Sequence, residues 1–252
     1  MIPFAHRGGA LHPELEGLEN TLAAFRHAYA LGYRHLETDV HVTRDGVLLA
    51  FHDERLDRVT DLTGALADLT YAEVRTARVG GREPVPTLAD LVDAFPEARF
   101  NIDIKSRRAA APLARFLTDR GVEDRVMVGS FSPAALREFR RLTRGAVPTS
   151  AHPLEVAAFL ASPSGRVAGR LTMGRPRALQ VPVRHGRVRV VTRRFVEKAH
   201  AAGLEVHVWT VDDPAEIRRL HELGVDGIFT DRTDLLRDTL TELGLWHSVE
   251  DS

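Results

Sequence analysis

Glu37 and Asp39 stand two apart in the run His35-Leu36-Glu37-Thr38-Asp39-Val40. Alternate side chains of a β-strand share a face, so the two carboxylates point the same way. Side by side they repel each other and resist burial, and they need a compensating charge or open water. Asp45-Gly46 is a two-residue hairpin signal, and the apolar run Val47-Leu48-Leu49-Ala50-Phe51 beyond it ends in His52-Asp53. The chain thus returns an imidazole to a carboxylate pair, which is the chemistry of a metal site with an acid–base partner.

Two more stretches carry reactive groups. Ile2 to Ala5 reads as a short buried strand that delivers His6, Arg7, Gly8 and Gly9 into a loop. The glycines allow positive φ and close backbone approach, as an anion-binding loop needs, and Arg7 offers a planar guanidinium to a phosphate. In Arg99-Phe100-Asn101-Ile102-Asp103-Ile104-Lys105, the residues Asn101, Asp103 and Lys105 share the polar face of a strand. Lys105 and Lys198 are the only lysines in a chain rich in arginine. Lys105 is where a compact ammonium matters, whereas Lys198 reads as an incidental residue on a helix surface.

The elements that position these groups follow a strand–helix rhythm. Glu19-Asn20-Thr21 opens a helix over Leu22, Phe25, Ala28 and Tyr29, stopped at Gly32, with Asn20 or Thr21 as N-cap and Glu19 favoured by the macrodipole. From Asp53 to Pro86 the apolar residues are scattered, with a short helix near 72–79, so this stretch reads as an insertion over one end of the fold. Thr87 caps a helix ending at Phe95. Later strands are expected at Val126–Phe131, Val147–Ala151, Leu179–Pro182, Leu204–Thr210 and Val225–Asp231. Helices are expected at Pro133–Leu142, Leu154–Leu160, Arg193–Ala202, Pro214–Leu223 and Leu235–Leu243, with 162–177 irregular. About eight βα units in one chain of 252 residues predict an α/β fold, a (β/α)8 TIM barrel formed as a single domain over 1–252. The surplus strand falls in the hairpin after Asp39, because a two-residue turn cannot join parallel neighbours. In such a barrel His6, Glu37, Asp39, Asp103, Lys105, Trp209 and Asp231 all meet at the C-terminal strand ends. His41 continues the face of Glu37 and Asp39 but is expected in solvent at the hairpin tip.

Composition narrows the function. A net charge of -1 and a pI near 6.9 leave no overall basic footprint for nucleic acid. The absence of cysteine removes disulfides, thiolate zinc and a cysteine nucleophile. No apolar run approaches the roughly 20 residues of a membrane span, and the start of the chain does not read as a signal peptide, so a cytoplasmic location is expected.

The ordered set His6-Arg7-Gly8, Glu19-Asn20-Thr21, Glu37-x-Asp39, Thr43-x-Asp45-Gly46 and His52-Asp53 resembles the signature of the glycerophosphodiester phosphodiesterases. Asn101 to Lys105, Ser130-Phe131, Trp209-Thr210-Val211 and Gly224 to Asp231 extend the resemblance over nearly the whole chain. It implies a TIM barrel that uses one divalent cation, Mg2+ or Ca2+, to hydrolyse glycerophosphodiesters to glycerol 3-phosphate and an alcohol. Carried over by motif, His6 and His52 are the acid–base pair, and Glu37, Asp39 and Asp103 the metal ligands. The third position is more often Glu in the family. Arg7 and Lys105 then neutralise the phosphodiester, and Trp209 is a candidate wall of the substrate pocket. A water or the substrate's own glycerol hydroxyl can serve as nucleophile. Two alternatives stand beside this reading: a lysophospholipase D activity at the same site, and a barrel lyase or aldolase forming a Schiff base on Lys105. Region 149–191 matches no motif, and neither head-group choice nor oligomeric state is written in the sequence.

Overall fold

The structure is a computed structural model and describes residues 1–165, 167 and 176–246. The chain opens with β1 (Ile2–His6), α1 (Leu22–Ala30), β2 (His35–Val42) and β3 (Leu48–Ala50). A connecting stretch contains α2 (Tyr71–Val74), β4 (Arg78–Val79), β5 (Glu83–Pro84) and α3 (Leu88–Ala94). Then come β6 (Arg99–Ile104), α4 (Arg107–Arg120), β7 (Val126–Gly129), α5 (Pro133–Leu142), β8 (Thr149–Ser150) and α6 (Pro153–Ala161). The last part runs β9 (Pro176–Pro182), β10 (Arg184–His185), β11 (Val188–Arg189), α7 (Arg193–His200), β12 (Glu205–Trp209), α8 (Pro214–Glu222), β13 (Gly227–Thr230) and α9 (Thr233–Glu242).

Eight strands, β1, β2, β6, β7, β8, β9, β12 and β13, pair in parallel, and β13 returns to β1, so the sheet closes into a TIM barrel. β3 is the surplus strand; it lies antiparallel on β2, with Val40 opposite Ala50, as the Asp45-Gly46 turn requires. Leu36, Val40, Phe100, Ile102, Ile104, Val128, Leu179, Val206, Val208 and Ile228 face the helices and form one continuous core with them. Their sequence neighbours fill the inside of the barrel. At the N-terminal end that filling is aromatic: Phe4 stacks on Phe229 at 4.3 Å and meets His35 edge-on at 5.4 Å. Midway it is polar, where the Gln180 amide donates to Asn101 Oδ1 at 2.7 Å and lies beside His207.

Several local expectations are corrected. α4 (Arg107–Arg120) is a helix that the strand–helix rhythm above does not name. Ala109, Ala110, Leu113, Ala114 and Leu117 are its buried face, and packing them outweighs the helix hydrogen bond that Pro112 cannot donate. The short helix near 72–79 stops at Val74, and Arg78–Val79 turns into a two-residue ladder with Glu83–Pro84. The connecting stretch builds its own small core from Phe51, Leu56, Leu66, Val74, Val79 and Val85. Lys198 is not incidental: its ammonium donates to the carbonyls of Phe159 and Ser162 at 2.5 and 2.6 Å, closing the C-terminal end of α6. Of the irregular 162–177 region, residues 166 and 168–175 lie outside the described residues. No helix of the described residues is long and apolar enough to cross a membrane.

Two outcomes check this interior. A Cβ at Gly227 would meet Phe4 and His207 ring atoms at 2.7 and 2.9 Å, so Gly227→Ala is expected to cost about 1–3 kcal/mol in urea unfolding. Burial, with Arg99 and His207, pulls the His35 imidazole down to about 4. His35 is therefore neutral in the fold while the unfolded chain binds its proton below the ordinary value near 6.5. Its contribution to stability is complete above that value and is lost as pH falls toward 4. In His35→Gln the slope of stability against pH over this window is expected to fall by about one proton.

Candidate active site

The register of three neighbouring strands gathers the reactive groups. His6 lies opposite Glu37, and Asp39 opposite Asp103, so β1, β2 and β6 present them at adjacent positions of the C-terminal rim. The loop after β1 must turn back at once. Gly8 does this at φ 84°, where an added Cβ would strike Ala24 at 2.7 Å. Arg7, at φ 49°, is held in the left-handed region, and its backbone N–H donates to Glu37 Oε2 at 3.0 Å. Its guanidinium Nε lies 3.1 Å from Asp39 Oδ2.

Asn20 is not the helix cap; Thr21 is, accepting from the Ala24 N–H. Asn20 sits at φ 57° and turns its side chain into the site. Its amide donates to Asp39 Oδ2 at 3.0 Å, while its carbonyl oxygen accepts from the Thr38 hydroxyl at 2.8 Å. Glu19 also leaves the helix, accepting from Arg7 and, through both oxygens, from Arg58. Capping and site-building use the same residue types, which hid both roles.

Each histidine is oriented by its own aspartate. His6 Nδ1 lies 2.7 Å from Asp231 Oδ1, and its Nε2 is 3.8 Å from Glu37 Oε2. Burial pulls the His6 imidazole down, but Glu37 and Asp231 outweigh it and raise it to about 9. His52 Nδ1 lies 2.6 Å from Asp53 Oδ1, and Arg58 grips Asp53 in turn. His41 is not in solvent. It is 4% exposed, and its Nε2 contacts the His52 carbonyl at 3.0 Å, fixing the backbone that carries His52. A cleft of about 590 Å³ opens between His52 and Lys105, walled by Asp53, Asp57 and Arg58. Across the mouth, Trp209 meets Phe131 edge-on at 5.8 Å, and Lys105 lies 5.9 Å from the Phe131 ring.

The charges do not balance. Among the described residues, the six acids Glu19, Glu37, Asp39, Asp53, Asp103 and Asp231 meet three permanent cations, Arg7, Arg58 and Lys105, and the imidazoles of His6 and His52. Burial and the neighbouring Asp39 push the Glu37 carboxyl up. Burial pushes Asp103 up as well. Asp39 is held low despite burial, because Lys105 and Arg7 lie against it. The Lys105 ammonium spans Asp39 and Asp103 at 2.9 and 2.7 Å. It draws those two carboxylates to itself, and among the described residues no three acidic or imidazole groups converge as an ion's ligands. The donor set nevertheless fits a hard cation: oxygen ligands only, with negative charge in surplus. The Schiff-base alternative fails on the same geometry. Burial would lower the Lys105 pKa, but Asp39 and Asp103 outweigh it and raise it, the opposite of what an amine nucleophile needs.

Fold and site together define a TIM barrel whose C-terminal mouth gathers a cluster of carboxylates and two histidines, each paired with an aspartate. The description "Glycerophosphoryl diester phosphodiesterase family" matches residues 6–235. A Mycobacterium tuberculosis protein named "Probable glycerophosphodiester phosphodiesterase 2" is 42% identical, over 97% of this chain and 92% of that one. A human protein named "Lysophospholipase D GDPD1" is 29% identical, over 94% of this chain and 85% of that one. The crystal structure of a glycerophosphoryl diester phosphodiesterase, described as putative in its source, from Silicibacter pomeroyi superposes with a TM-score of 0.80 at 27% identity, covering 97% and 94% of the two chains. The chain belongs to the glycerophosphodiester phosphodiesterase family, and its activity is that of a phosphoric diester hydrolase.

The Arg58 clamp is directly measurable. Burial pushes Asp53 up, yet Arg58 and His52 hold it down at about 2. In Arg58→Ala the Asp53 carboxyl, followed by NMR during a pH titration, is expected to titrate closer to the ordinary value of about 4.

Proposed function

We propose that this enzyme hydrolyses glycerophosphodiesters to glycerol 3-phosphate and an alcohol, with His6 and His52 as the acid–base pair. The observation that carries the reading is the twin arrangement of imidazoles. Each is fixed through Nδ1 by its own aspartate, and His6 lies 3.8 Å from Glu37. Nδ1 so engaged leaves Nε2 as the working nitrogen of each ring. His6, raised to about 9, carries a proton at neutral pH and is suited to give it to the leaving alkoxide. His52 takes the proton of the nucleophile, a water or the substrate's own glycerol hydroxyl; in the second case a water then opens the cyclic phosphate to glycerol 3-phosphate. Arg7 and Lys105 hold the phosphodiester oxygens, and Trp209 walls the glycerol or head group. Glu37, Asp39 and Asp103 would hold Mg2+ or Ca2+, which when bound supplies positive charge to the phosphoryl oxygens. Such a cation would also offset the burial and the Asp39 charge that push Glu37 up.

A lysophospholipase D activity at the same site is the second reading. It is supported by the human relative of that name and by Phe131, which is 61% exposed beside Trp209 and offers an apolar landing for an acyl chain.

A panel of glycerophosphocholine, glycerophosphoethanolamine, glycerophosphoglycerol and lysophosphatidylcholine, assayed with Mg2+, Ca2+ or EDTA, separates the readings. Glycerol 3-phosphate is expected from the first three, and EDTA is expected to abolish its release. His6→Ala and His52→Ala are expected to bind the cation in calorimetry while kcat falls about 10²–10⁴-fold. Glu37→Ala is expected to lose both. Near-normal kcat in His52→Ala contradicts the acid–base assignment.

A further inference from the structure

Positions 156–196 carry nine arginines and no acidic residue, in a chain whose net charge is -1. Within this run β10 and β11 form a hairpin just past the C-terminal end of β9, whose Pro182 lies opposite Trp209. The Val190 and Val191 N–H groups close its base on the Val183 carbonyl. Residues 184–189 are all exposed. Arg184 and Arg189 stand directly opposite each other, a like-charge cross-strand pair that weakens a ladder. None of Arg184, Arg187 and Arg189 pairs with a carboxylate among the described residues. The acid nearest in effect, Glu216, is already bound through both oxygens by Arg219. Apart from the Arg184 guanidinium, which donates to the Arg187 carbonyl at 3.1 Å, these charges face solvent.

Apolar groups share the face. Val188 is 67% exposed in the hairpin itself. Phe131, just past β7, is 61% exposed, Leu154, in the first turn after β8, is 63% exposed, and Leu11, in the loop after β1, is 57% exposed. All of these follow strand C-terminal ends and therefore ring the catalytic mouth. Arginines beside scattered apolar tips match the interface of a bilayer, which offers anionic headgroups above acyl chains.

We propose that the β10–β11 hairpin docks the catalytic face on anionic lipid bilayers. Arg184, Arg187 and Arg189 meet the headgroups, and Val188 and Phe131 rest at the acyl boundary. Docking turns the mouth toward the surface from which phosphodiester headgroups are released. It is independent of which phosphodiester the site cleaves.

The test is co-sedimentation of the whole chain with phosphatidylglycerol/phosphatidylcholine vesicles and with pure phosphatidylcholine vesicles. Binding is expected to the anionic vesicles only, falling as salt rises. Each arginine near an anionic surface contributes about 1 kcal/mol, or about fivefold, so Arg187→Ala/Arg189→Ala is expected to lower partitioning about 30-fold. Its turnover of soluble glycerophosphocholine and its melting temperature are expected to match the parent. Equal sedimentation with both vesicle types, an unchanged double variant, or binding to duplex RNA in place of vesicles overturns the proposal.

Discussion

Glu37 and Asp39 are 4% and 1% exposed, adjacent on one face of one strand, and almost out of water. Two carboxylates in that position cannot both ionise freely, since desolvation and mutual repulsion act together. Everything around them answers that constraint. The left-handed turn at Arg7 aims a backbone N–H and a guanidinium at the pair, Asn20 is bent inward to donate to Asp39, and Lys105 reaches across from β6. The compensation is still incomplete at Glu37, which stays pushed up. A site that leaves this deficit suits a ligand that brings positive charge.

The barrel makes the arrangement affordable. Eight parallel strands hold the opposing positions of β1, β2 and β6 in fixed register, so groups far apart in sequence meet without long flexible connections. A layer of Asp231, Asp53, Arg58, Glu19 and His41 then fixes the working groups. His6 and His52 are each locked through one ring nitrogen, and Arg58 joins the loop after β1 to the stretch after β3. Groups that must act in concert are thus preorganised by ion pairs whose own partners are packed in place.

Much of this was legible in the residues. The strand–helix rhythm, the hairpin signal and the period-2 placing of Glu37, Asp39, Asp103 and Lys105 all report backbone geometry, which short-range sequence encodes well. The departures share a physical cause. Asn20 and Glu19 carry the pattern of a helix start, and only the left-handed turn at Asn20 redirects them. His41 looked solvent-bound because nothing local shows that the chain returns over it to place the His52 carbonyl. Lys198 reads as surface until α6 ends against it. Arg58 and Asp53 sit in a stretch without periodicity, where long-range ion pairs decide position. In α4, Pro112 stands inside a helix that the packing of Ala109, Leu113 and Leu117 sustains.

The central proposal is that Glu37, Asp39 and Asp103 hold one cation, beside the Lys105 ammonium that spans Asp39 and Asp103. An anomalous difference map from crystals soaked in Mn2+ tests it most directly. The account predicts a single peak bound by carboxylate oxygens of Glu37, Asp39 and Asp103, with the Lys105 ammonium withdrawn from between Asp39 and Asp103. A saturating soak that leaves Lys105 bridging the two aspartates, with no peak beside Glu37, contradicts it.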